Sequence, residues 1–223
     1  MPSGSYDNMS IEQVCENLKR IGYDTVEWTL QFASPRNHSA RELRNLVDVT
    51  ERSGLKISEV VVQQDLVLLN EDERRDNISL VKQCIEAFTD VGIHTINLFT
   101  GPIPWNKNRL VVGSGITEGN AWEMVFQAFD ELLPLAEEKR INLAVENVWG
   151  MLCRDFYTMR YLVDHYQSPY LGVNYDPSHD LLAGHRDIGW IIRCWGRDNI
   201  KHVHLKDAVG IDHPGLHLFP LLG

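Results

Sequence analysis

Three short runs in the second half of the chain restrict its fold more than any other feature. They are Ile141-Asn-Leu-Ala-Val-Glu-Asn147, Leu171-Gly-Val-Asn-Tyr-Asp-Pro-Ser-His179 and Ile200-Lys-His-Val-His-Leu-Lys-Asp207. Side chains along a strand point to alternate faces. Turning Glu146 inward takes Asn142 and Ala144 with it and sends Leu143 and Val145 outward. Asp176 inward brings Asn174 and Gly172, leaving Leu171, Val173 and Tyr175 outside. His204 inward brings His202 and Ile200, with Val203 and Leu205 opposite. All three therefore read as buried parallel strands with an apolar outer face for helices to cover. The inner face is small or polar and rises to a carboxylate, a carboxylate and an imidazole, all three able to bind a divalent metal.

The rest of the chain repeats strand and helix in alternation. Ser10 with Gln13 forms a capping box for a helix over 11–20 that stops at Gly22, and Ser39 with Glu42 forms another for a helix to about Ser53 before Gly54. Strands are expected over Thr25–Trp28, Lys56–Gln63 and Thr95–Phe99. Long helices are expected over 71–90, 120–139 and 155–165, and a shorter one over 188–194. Residues 101–118 carry Gly, Pro and Asn without a period, so they read as a long loop, and long loops in compact domains tend to be functional.

Six strand–helix alternations imply right-handed crossovers and a parallel sheet. A doubly wound open sheet usually carries a Gly-rich first turn for a nucleotide, and no G-x-G-x-x-G follows a strand here. A (β/α) barrel puts its chemistry on the carboxyl ends of its strands, where Glu146, Asp176 and His204 fall. The fold class is thus α/β, a TIM barrel of parallel strands, and 223 residues without a linker-like break make residues 1–223 a single domain.

Composition narrows the partners. A formal charge of −10 disfavours a phosphate backbone, which needs clustered Lys and Arg, so no nucleic acid is expected. No apolar run reaches membrane-spanning length and the first residues lack a signal-peptide pattern, so no membrane is expected and the protein reads as cytoplasmic. Cys15, Cys84, Cys153 and Cys194 form no Cys-x-x-Cys pair and read as buried free thiols.

The phrases Ile21-Gly-Tyr-Asp-Thr-Val-Glu27, Val145-Glu-Asn147, Asn174-Tyr-Asp-Pro-Ser-His179 and His202-Val-His-Leu-Lys-Asp207 resemble the xylose-isomerase-like family of sugar isomerases and epimerases. Its kin include inosose dehydratases, hydroxypyruvate isomerases and endonuclease-IV-type enzymes. The resemblance implies a TIM barrel, with Glu146, Asp176 and His204 matching three metal ligands and His179 a position that touches substrate or a further metal. It also implies a strand before the first helix and a last strand carrying a fourth, glutamate ligand. Only nine residues precede Ser10, and no Glu follows Glu146. An incomplete barrel, its first and last strands short or missing, is therefore expected, from a truncated gene model or with a partner over the gap; a homo-oligomer is a further expectation.

Two carboxylates and an imidazole suit Mn, Mg, Co or Zn. Such an ion stabilises the enediolate of a sugar, sugar phosphate or cyclic polyol ketone, which makes a metal-dependent isomerase or epimerase of carbohydrate metabolism the leading reading. Glu146, His179 and Lys206 are the candidate catalytic residues. Glu27, Trp105, Trp149 and Asp207 are the candidate substrate contacts, the tryptophans offering flat apolar faces to a sugar ring. Glu27 has a second reading, orienting another site residue. His202 is assigned to the hydrogen-bonded core, as are Trp122, Trp190 and Trp195, while His94, His165 and His185 read as structural. Three other functions remain open: a dehydratase using the same residues, an endonuclease-like phosphodiesterase, and a non-catalytic binding protein lacking the final carboxylate.

Overall fold

The two capping boxes form as written. Ser10 and Gln13 bond reciprocally at the start of α1 (Ile11–Ile21), and Ser39 and Glu42 do the same at the start of α3 (Ala40–Arg52). Gly22 ends α1 at φ 106°, a left-handed conformation that favours glycine. In this computed structural model the described residues are 6, 8–106 and 110–222. Most of the opening segment read for a signal peptide, residues 107–109 of the long loop and Gly223 lie outside them.

The remaining elements are β1 (Thr25–Thr29), α2 (Leu30–Ala33), β2 (Lys56–Val61), α4 (Glu71–Asp90), β3 (Thr95–Leu98), α5 (Glu118–Lys139), β4 (Asn142–Glu146), α6 (Phe156–Tyr166), β5 (Leu171–Tyr175), α7 (Pro177–Leu182), α8 (Ile188–Asn199) and β6 (Ile200–Val203). A two-stranded hairpin follows, β7 (Val209–Gly210) against β8 (His217–Leu218). Strands β1 to β6 lie in chain order in one all-parallel sheet, curled into an incomplete TIM barrel. No helix of the described residues is long and apolar enough to cross a membrane.

The predicted alternation holds along β4 and β5. Leu143, Val145, Leu171, Val173 and Tyr175 join the core beneath the helices, while Glu146 and Asn174 face the interior. Val26 and Trp28 on β1, and Ile96 and Leu98 on β3, extend this core and leave Glu27 and Asn97 on the inner side. Trp28 buries its ring completely, and its Nε1–H donates to Thr50 Oγ1 at 3.1 Å, satisfying the one polar atom that burial would strand.

Several expectations change. Strand β6 ends at Val203, so His204 stands one residue past it. Pairing with β5 goes from Val173–Ile200 directly to Asn174–His202, a bulge that takes Lys201 out of register and breaks the simple parity. Ile200, expected beside His202, therefore packs with the helix-side core, and Val203 and Leu205 are exposed rather than covered by a helix. Trp122 and Trp195 are core, but Trp190 is 43% exposed. Cys194 is exposed, unlike the other three thiols. Helix α8 runs past Cys194 to Asn199, with a non-helical Gly196 inside it.

The close approach of β5 to β6 requires a glycine. A Cβ on Gly172 would lie 2.3 Å from Asn199 O and 2.8 Å from Lys201 Cγ. Gly172→Ala is therefore expected to destabilise the protein by about 1–3 kcal/mol through overpacking, read as a lower denaturant midpoint with an unchanged m-value.

Candidate metal centre

Four inward carboxylates and three imidazoles meet at the carboxyl ends of the strands, beside a cavity of about 970 Å³. His204 is the hub. Its Nδ1 donates to Glu146 Oε1 at 2.9 Å, and its Nε2 lies 3.0 Å from Glu27 Oε2 and 3.4 Å from Glu59 Oε1. Burial opposes the charged ring, but these carboxylates outweigh it and push the His204 pKa up to about 12. For Glu27 burial is likewise outweighed, by the bond to His204, and its pKa is lowered. Glu59 is fully buried, with Glu27 and Glu146 near it, and is pushed up to about 7.

Glu146 is held on both oxygens, Oε1 by His204 and Oε2 by Gln63 Nε2 at 3.0 Å and Asn97 Nδ2 at 3.2 Å. Asp176, fully buried, is placed by the residue that follows β4. Asn147 Nδ2 donates to Asp176 O, and Asp176 N–H donates to Asn147 Oδ1, both at 2.8 Å. Ser178 gives Asp176 Oδ1 two bonds, from N–H at 3.0 Å and from Oγ at 2.6 Å. The other oxygen, Oδ2, receives no directed hydrogen bond and meets Lys206 Nζ as an ion pair at 2.7 Å.

His179 takes the Trp149 backbone N–H on Nδ1 at 3.2 Å and turns Nε2 toward Lys206 Nζ, also at 3.2 Å. Burial, with the Lys206 and His217 charges, pushes its pKa down to about 2, so the ring is neutral. His202 bonds Asn174 Oδ1 at 3.2 Å, as a core histidine should, yet it also lines the cavity. Burial and the His204 charge outweigh the nearby carboxylates and push it down to about 4.

The sequence grouped Glu146, Asp176 and His204. The structure divides them between two sets, each with ligand atoms within 4.8 Å of one another: Glu146 with Asp176 and His179, and His204 with Glu27, Glu59 and His202. The Glu146–His204 bond joins the sets. Trp105 and Trp149 line the cavity, as do Glu27 and Lys206. Asp207 does not; its Oδ1 accepts from the Ala208 N–H at 2.8 Å.

Glu59 had no place in the sequence reading. The β1–β2 register passes from Val26–Ile57 to Glu27–Glu59, so a bulge at Ser58 sets two glutamates side by side. Only an acidic residue directly before the apolar Val60, Val61 and Val62 hinted at it. The hairpin over the cavity was also unforeseen: His217 meets Trp149 at 4.5 Å between ring centroids, and Phe219 lies 5.5 Å from His179.

Residues 15–220 match the family model described as the xylose isomerase-like TIM barrel. A search of curated proteins finds no match to the sequence. Among solved structures, the chain resembles 3-keto-D-glucoside 4-epimerase, YcjR, from E. coli, with a TM-score of 0.77 at 14% identity, covering 93% of this chain and 78% of that one. It resembles the IolI protein with a bound zinc atom, TM-score 0.73 at 16% identity over 93% and 72% of the two chains. Mannonate dehydratase from Streptococcus suis gives 0.71 at 15% identity over 93% and 70%. These likenesses are of fold.

The raised pKa of His204 has a definite sign in stability. Its contribution is complete below the ordinary value of 6.5 and is lost as pH rises from there toward about 12. The Tm of chelator-treated protein is therefore expected to fall from pH 7 to 9, with a shallower slope in His204→Gln, as followed by scanning calorimetry.

Proposed function

The chain belongs to the xylose isomerase-like TIM-barrel family, and on that premise we propose that it is a divalent-metal-dependent isomerase or epimerase. Its substrate is a sugar, sugar phosphate or cyclic polyol ketone. One observation carries the reading: a fully buried carboxylate oxygen, Asp176 Oδ2, has no directed hydrogen bond and lies in a set of ligand atoms with Glu146 and His179. A buried anionic oxygen in that state is the donor a cation satisfies.

The donor types fit Mn, Mg, Co or Zn. Glu146 and Asp176, which share one set, would hold the ion, and His204 would join them on giving up its proton and its Nδ1 bond to Glu146; when bound the ion would supply the Lewis acidity that polarises a substrate carbonyl and favours loss of the neighbouring proton. Glu146 accepts that proton, and relocating it on one face of an enediolate needs a single base. Neutral His179, fixed through Nδ1 by the Trp149 backbone, carries a proton at Nε2. Lys206 faces substrate oxygens. Trp105 and Trp149 take the apolar side of a sugar ring from the cavity wall. Glu27 and Glu59 work one step back, on His204 Nε2, where a carboxylate fixes the orientation of a ligating imidazole.

The test is metal analysis with turnover on a panel of ketoses and their phosphates. Removing metal with a chelator should abolish activity and re-addition restore it, while Glu146→Gln should lower kcat by about 10²–10⁴-fold. Full turnover by a metal-free Glu146→Gln protein would overturn the proposal. Product mass separates isomerisation, which is silent, from the loss of water of a dehydratase.

A further inference from the structure

We propose that Lys206 is the resident cation of Asp176, and that a divalent metal must displace it, so that loading the site turns the ammonium out of the carboxylate and toward the cavity. This rests on the reading of Asp176 as a metal ligand. Asp176 has one oxygen to offer. Oδ1 is taken by the Ser178 N–H and Oγ, whereas Oδ2 has the Lys206 ion pair at 2.7 Å and His179 Nε2 at 3.5 Å. An ammonium and a metal ion on that same oxygen would be like charges in contact, within a wall where screening is weak.

Lys206 is built to move and Asp176 is not. The aspartate is fully buried, and both its backbone N–H and its C=O are clamped by Asn147. The lysine side chain is 39% exposed and sits on irregular chain past the end of β6, with a flexible stem. From its place on Asp176, Nζ already lies 4.7 Å from the centroid of the Phe219 ring, an aromatic face on the cavity wall that its charge can keep when it leaves the carboxylate. Among the described lining residues Lys206 is the only Lys or Arg. The cavity thus gains the unpaired charge of that lysine when the metal arrives. This imposes an order, metal first and an anionic or oxyanion-forming substrate second, with each raising the affinity for the other.

The experiment is trace acetylation of the whole protein with acetic anhydride, read by mass spectrometry, in chelator-treated and Mn²⁺-loaded samples. Releasing an ammonium from a close ion pair with a buried carboxylate corresponds to about tenfold or more. Lys206 should accordingly react about tenfold faster once Mn²⁺ is bound, with exposed Lys56 as the unchanged reference. By calorimetry, Lys206→Met should bind Mn²⁺ about tenfold more tightly, because no internal cation competes. Bound Mn²⁺ that depends on Asp176, as judged by its loss in Asp176→Asn, with unchanged Lys206 labelling would overturn this proposal alone. So would weaker binding by a folded Lys206→Met. A wild-type protein that binds no Mn²⁺, or binds it equally well as Asp176→Asn, would remove the metal reading and this proposal together.

Discussion

One imidazole holds the two edges of an open sheet together from the inside. His204 follows β6, the last strand of the sheet, and Glu27 lies on β1, the first, yet they meet at 3.0 Å. The same ring reaches Glu146 on β4 and Glu59 on β2. Four strands thus converge on one cation, and the curl of the sheet is what makes those contacts possible. Burying several carboxylates together is costly unless a positive charge sits among them. The inner wall depends on that compensation.

The second compensation is of another kind. Asp176 is positioned by rigid parts, an Asn147 clamp on its backbone and a Ser178 bond pair on one oxygen, but its remaining oxygen faces only a lysine on a flexible stem. A fixed acceptor beside a movable cation is a site whose occupant can be exchanged. Glu146 differs again, because neutral amides of Gln63 and Asn97 hold one oxygen and leave its charge unpaired by them. The carboxylates at the mouth therefore differ in what would have to move for a ligand to reach them.

The layering of the fold follows from alternation that is local to each strand. Along β4 and β5 the choice between helix side and cavity side is written in the residues, since Leu143, Val145, Leu171 and Val173 have only one face on which they avoid water. Caps are equally local: Ser10 with Gln13 and Ser39 with Glu42 need only three residues of separation to bond. Where the chain departed from its pattern, the cause was a bulge. Lys201 out of register turns Ile200 away from His202, and Ser58 out of register brings Glu59 beside Glu27.

From its own letters the chain determined the barrel class, the order of strands and helices, and the gathering of Glu146, Asp176, His179 and His204 at one end, because side-chain period and capping act over a few residues. Tertiary structure alone decided how those groups are shared. Pairing register, set between strands more than 30 residues apart such as Val26 and Ile57, placed Glu59 in the cluster. The curl of the sheet gave His204 to Glu27 rather than to Asp176, and Lys206 to Asp176. Such contacts depend on where distant strands slip and bend, and no local sequence period encodes that.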